Sequence, residues 1–175
     1  MKIAYNLIGT KKTINYVIFG LIFTLFNIST KAQENPPIPV QVEVSTVQFL
    51  NFGAFTTGIS GGTVTVTSGG LRPPATGDVV LLNMGPSVSR ALFDVTANPG
   101  TIITISSQPG IELTGSSGGS LFLDINSDSY STGQTFITTS SSTPVYVGGT
   151  LSVGNLSANP PGNYNGTFTL TFIQQ

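Results

Sequence analysis

The stretch of this chain that comes nearest to a metal-binding loop is Asp124-Ile125-Asn126-Ser127-Asp128-Ser129-Tyr130. Asp124, Asn126 and Asp128 stand at positions 1, 3 and 5 of a calcium loop, which offers oxygen ligands at alternate residues. The pattern then breaks. Position 6 is Ser129 where such a loop turns on glycine, and position 12 is Thr135 where it needs a bidentate glutamate. A run of Asp, Asn and Ser after a strand also forms a turn by bonding its own backbone. The segment therefore reads first as a turn, with Asp124, Asn126 and Asp128 as the calcium candidate; no other cofactor is indicated.

Other chemistry is missing by inventory. The chain has no His and no Cys, which removes the usual acid–base residue for neutral pH and the thiol nucleophile. Serines are plentiful, but no base stands ready to activate them. No glycine-rich phosphate loop with its lysine occurs. A carboxylate pair can cleave a glycosidic bond, but such sites usually come with an aromatic-lined cleft, and the chain has no Trp. The expectation is a protein that is not an enzyme. Tyr130, Tyr146 and Tyr164 offer a sugar-stacking face, against the alternative of half-buried strand tyrosines with wet hydroxyls.

The N-terminal residues are an address. Lys11 and Lys12 precede a mostly apolar run, Tyr16 to Ile28, followed by Ser29-Thr30-Lys31-Ala32-Gln33. A basic start, an apolar middle and a small residue at the cut make a secretory signal peptide. The run falls short of the roughly 20 apolar residues that span a bilayer, so residues 1–32 are expected to be removed. With no Cys, lipid anchoring at a processed cysteine is not expected. Removal takes Lys2, Lys11, Lys12 and Lys31, leaving Arg72 and Arg90 as the basic residues beside all 7 acids. Two cations cannot neutralise a row of phosphates, so nucleic acid is excluded as a partner. Insertion into a membrane after signal removal is not expected either. The compartment expected is secreted: periplasm, outer cell surface or medium.

Beyond the signal the grammar is that of strands. Residues 33–45 form an extended N-terminal segment and first strand. Pro36, Pro37 and Pro39 oppose helix, and Ile38, Val40, Val42 and Val44 alternate with polar or proline positions. Residues 46–175 read as one domain. Strands are expected at Thr63–Thr67, Asp78–Leu82, Ser89–Thr96, Thr101–Ser106, Leu121–Ile125, Gln134–Thr138, Val145–Val153 and Asn165–Ile173. Gly, Pro and Asn turns punctuate them, among them Asn98-Pro99-Gly100. Segments 115–120 and 138–143 read as loops. Short strands at this spacing indicate an all-β sandwich or barrel. Gly61-Gly62-Thr63-Val64-Thr65-Val66 echoes Gly148-Gly149-Thr150-Leu151-Ser152-Val153, which reads as a shared turn-then-strand grammar.

Taken in order, these signals carry a resemblance. Phe49-Leu50-Asn51-Phe52-Gly53-Ala54-Phe55 opens the series, followed by the Gly61–Val66 strand and by Arg72 ahead of Thr76-Gly77-Asp78-Val79. Next come Arg90-Ala91-Leu92-Phe93-Asp94-Val95-Thr96 and the Asn98-Pro99-Gly100 turn, then Val147–Val153 and Pro161-Gly162-Asn163-Tyr164-Asn165-Gly166-Thr167-Phe168. Over about residues 46–173 this set resembles the exported bacterial domain-of-unknown-function family 4402. The last strand also resembles the ends of spore-coat-U-like and pilin-like secreted domains. Those resemblances imply an immunoglobulin-like β-sandwich of about 8–10 antiparallel strands and a role in surface fibres or adhesion. They imply no catalytic residues.

Two functions from different classes follow. One is a structural surface subunit, pilin-like or adhesin-like. Its strand-addition segment is Ile38, Val40, Val42 and Val44, inserted into a neighbouring copy. In the alternative, that strand belongs to its own sandwich and the protein is a monomeric module binding a surface glycan or protein through its loops.

Overall fold

The computed structural model describes residues 41–44 and 48–175. Residues 1–32, the expected signal peptide, lie outside these residues, as do Ile38 and Val40. The described chain is all-β, with no α-helix. Its strands are β1 (Gln41–Val44), β2 (Phe55–Val66), β3 (Thr76–Leu81), β4 (Ala91–Thr96), β5 (Ile102–Ser107), β6 (Ile111–Gly115), β7 (Ser120–Asp124), β8 (Thr135–Ile137), β9 (Ser142–Val147), β10 (Gly149–Val153), β11 (Tyr164–Asn165) and β12 (Leu170–Gln174). Every ladder between them is antiparallel. A six-stranded sheet runs β11-β6-β7-β10-β2-β3, and two three-stranded sheets run β1-β4-β9 and β12-β5-β8. This is the expected sandwich class with more, shorter strands.

Alternation decides which side chains face inward. Val64 and Val66 of β2, Leu121 and Leu123 of β7, and Leu151 and Val153 of β10 are all buried. The intervening residues point outward, where Thr63 meets Thr76 (2.7 Å between hydroxyls) and Thr65 meets Thr150 (3.0 Å). Such cross-strand threonine pairs stabilise a sheet on its wet face. The β1-β4-β9 and β12-β5-β8 sheets contribute Phe93, Val95, Ile103, Ile105, Val145 and Val147 to the same core. Phe93 joins them: its ring centroid lies 6.1 Å from that of Phe168 and 5.9 Å from that of Phe172 on β12.

Three differences from the sequence expectation have physical causes. Gly61-Gly62 is not a turn ahead of a strand. β2 runs straight through it, and its register against β3 shifts between Thr57 and Gly62. The bulge leaves two amides without ladder partners, and the Asp78 carboxylate accepts from both Ile59 N (2.7 Å) and Ser60 N (3.5 Å). The expected strands Val145–Val153 and Asn165–Ile173 each change sheets midway, at Gly148 and between β11 and β12. β6 is a strand the sequence reading did not include, and Ser142 and Thr143, expected in a loop, begin β9.

The internal echo has a structural meaning. The two similar segments pair with each other, with Gly149 opposite Val66, Leu151 opposite Val64 and Val153 opposite Gly62. A Cβ at Gly61 would run into the carbonyl oxygen of Val153, and one at Gly148 into that of Val66. Each glycine pair thus makes room for the last valine of the other strand, a local two-fold relation. The shared grammar is that of paired neighbours at the centre of the large sheet.

β1 lies along β4, with Val42 opposite Val95 and Val44 opposite Phe93. Further on, Asn51 bridges Ser89 at the foot of the same strand. Val44 to Asn51 is a longer step along the sequence than Phe93 back to Ser89, so the two pairings are out of register with each other.

Candidate functional site

The Asp124 segment folds into a 3₁₀ turn, Ser127–Ser129, capped by Asn126. The Asn126 side-chain oxygen accepts from Asp128 N (3.1 Å) and from the Ser129 hydroxyl (3.2 Å), while Asn126 N donates to the Ser129 hydroxyl (3.1 Å). That reciprocal cap uses the oxygen a calcium loop would need. Among the described residues no group of three or more acidic, His or Cys side chains is gathered to hold a metal. Asn126→Ala is expected to cost about 1 kcal/mol as a lost cap. The loss should be equal in calcium and in chelator when followed by thermal unfolding; a calcium-dependent rise in the wild-type melting temperature would contradict this.

The three tyrosines do not share a face. Tyr130 is part of the buried core. The ring of Tyr146 is covered by the Arg90 guanidinium, 3.5 Å from its centroid, a cation–π contact. Tyr164 donates its hydroxyl to Pro160 O (2.8 Å). Tyr130, Tyr146 and Tyr164 therefore do not form one sugar-stacking platform, because the fold draws the ring of Tyr130 inside and covers that of Tyr146.

Arg72 and Arg90 are also committed. Arg72 donates to the carbonyl oxygens of Phe52 (2.9 Å), Ala54 (3.1 Å) and Leu82 (3.0 Å), pinning the segment before β2 to the end of β3. Arg90 donates to Ser68 O (2.6 Å). Of the strand-addition residues, Val42 and Val44 lie in β1 on β4.

A cleft of about 540 Å³ opens over the inner face of the large sheet. Its floor is aliphatic, built from Ile111, Leu113, Leu121, Leu123, Leu151 and Val153. One wall is the segment from Leu50 to Thr57, held in place by Arg72 and by the Asn51–Ser89 bridge. The other is the run from Asn159 to Phe168, where the chain crosses between sheets. Among the described residues no charged one lines it. Its polar side chains are mostly spent on the protein itself. Asn51 accepts from Gly53 N (2.8 Å), and Thr57 donates to Gly154 O (2.9 Å). The buried Asn159 accepts from Gly154 N (2.5 Å) and donates to Ser120 O (2.7 Å). Sequence reading missed this cleft because its residues come from segments far apart in the chain and look like ordinary core.

Fold and site together define a β-sandwich domain in which Arg72 and Arg90 serve as internal struts and a cleft is lined, among the described residues, by uncharged side chains. The family model described as "Domain of unknown function (DUF4402)" matches residues 42–173, and the chain belongs to that family. No curated protein and no solved structure matches it.

Proposed function

We propose that this chain is a non-enzymatic, exported surface protein that serves as a pilin-like or adhesin-like structural subunit and assembles by exchange of its first strand. The observation that carries the reading is the register of β1. β1 pairs with β4 over four residues and is out of step with the Asn51–Ser89 bridge that follows. Its apolar alternation begins further back, at Ile38. A strand whose pairing is out of register with the bridge that follows it can be contributed by the same chain or by a neighbour with the same local pairing, which is the logic of strand exchange. The inventory supports the non-enzymatic half: neither His nor Cys is present. Export is carried by the basic-then-apolar pattern of residues 11–33.

The test uses the absence of cysteine. Glu43 and Asp94 stand directly opposite each other in the β1–β4 register, at a separation a disulfide can span. In the full-length chain carrying Glu43→Cys and Asp94→Cys, strand exchange is expected to give a covalent ladder of multimers on a non-reducing gel. Closed monomers alone, at high protein concentration, would mean that the strand completes its own sandwich. The second reading, a monomeric binding module, would then stand; the uncharged cleft is the observation that favours it.

A further inference from the structure

We infer that the cleft over the inner face of the large sheet is a binding site for a single uncharged alkyl chain, such as a fatty alcohol or the tail of a neutral lipid. The inference is independent of strand exchange. Four properties of the cleft select this chemistry.

The first is size. At about 540 Å³ it lies within the roughly 300–1,000 Å³ of small-molecule sites. The second is charge. With no charged residue in the lining among the described residues, a carboxylate or ammonium group entering the cleft would lose water and gain no counter-charge there. Arg72, next to the wall, has its guanidinium turned to three backbone carbonyl oxygens. The third is hydrogen bonding. The side chains of Asn51, Thr57, Asn159 and Tyr164 are engaged with the protein's own backbone, so of the polar side chains in the lining only Thr56, Asn163 and Asn165 are left to meet the many hydroxyls of a polyol such as a sugar.

The fourth property separates an alkyl chain from an added peptide strand. Strand addition needs an open sheet edge, and this cleft lies over a face. The floor strands β7 and β10 are paired on both sides. The outer edge of β6 carries β11 at Thr114 and Gly115, and Gly166 packs against the carbonyl of Glu112. An occupant of this cleft finds apolar side chains and no free ladder. At its mouth stands Leu156, 50% exposed, an apolar lip of the kind an aliphatic ligand slides past.

The experiment titrates the mature protein with Nile red, a neutral probe whose emission rises in apolar surroundings, and then competes it with 1-decanol or decanoate below their aggregation limits. Decanol is expected to displace the probe, and decanoate to need at least about tenfold more, the penalty of bringing a charge into an uncharged site. Leu113→Trp, which fills the half-buried end of the floor, should abolish displaceable binding. Leu156→Asp, at the exposed lip and harmless to the core, should weaken it by about tenfold. Equal competition by decanoate, competition by a neutral sugar, or binding unchanged in the folded Leu156→Asp protein would each overturn the assignment. So would probe binding that decanol does not displace.

Discussion

Gly62→Ala is expected to prevent this domain from folding at ordinary temperature, whereas Gly69→Ala, a few residues away, should be harmless. A Cβ at Gly62 would coincide with the carbonyl oxygen of Thr76 and lie 2.8 Å from the carbonyl carbon and 3.2 Å from Gly77 Cα. All three are backbone atoms of the paired strand β3, which cannot move without breaking the ladder beside the bulge. A loss of more than about 4 kcal/mol follows from a clash of this kind, and small domains hold only about 5–15 kcal/mol in all. At Gly69 the nearest neighbour of an added methyl is the Thr67 hydroxyl at 3.5 Å, an ordinary contact. Removing backbone freedom from the unfolded chain there should stabilise by about 0.4–1 kcal/mol. Urea unfolding of both variants checks the pair; a folded Gly62→Ala protein of wild-type midpoint would show that β3 can shift away.

The second large effect is expected at Phe93. Its ring, 8% exposed, is the contact through which β4 reaches Phe168 and Phe172. Phe93→Ala should cost about 3–5 kcal/mol, the transfer energy of the ring plus the cavity it leaves. Part of the cost falls on Phe168 and Phe172, which lose their aromatic partner. Phe122→Ala is the control: Phe122 is 54% exposed on the outer face of β7, and its removal should change stability by less than about 1 kcal/mol. The same urea curves decide it, and equal midpoints for the two variants would remove Phe93 from its joining role.

How far the sequence was legible depends on what each residue reports. Thr101–Ser106 and Leu121–Ile125 alternate because one face of each is buried, so their strands could be read within a residue of β5 and β7. The same alternation conceals a change of sheet. Val145, Val147, Leu151 and Val153 are all buried, yet the first two lie in one sheet and the last two in another. Gly148 carries the transfer, because a side chain there would meet the backbone of β2. Gly61-Gly62 misleads in the opposite sense: glycines that elsewhere mark turns here permit close approach within a strand. β6 escaped notice because Ile111–Gly115 is short and set between Pro109-Gly110 and a Gly/Ser run. The tyrosines show the limit of reasoning from residue type. Tyr130 and Tyr146 look alike in the sequence, but one is in the core and the other lies under an arginine. The cleft was not legible at all, since nothing local distinguishes an aliphatic residue that lines a cavity from one that fills a core.

The mutual pairing of the two Gly-Gly strands also fixes the order in which the molecule comes together. Thr65 and Thr150, hydroxyl partners at the heart of the large sheet, are 85 positions apart. Contacts of such range close slowly, since the entropy of ordering a long loop is spent before the pairing repays it. The β2–β3 and β6–β7 hairpins are local and can form early. β10 can join them only after nearly the whole chain is available. A chain emerging N-terminus first therefore leaves one edge of β2, with its unpaired N–H and C=O groups, open until Gly149–Val153 arrives. Completion of the sheet acts as a late checkpoint, passed only by a chain that has been delivered almost in full.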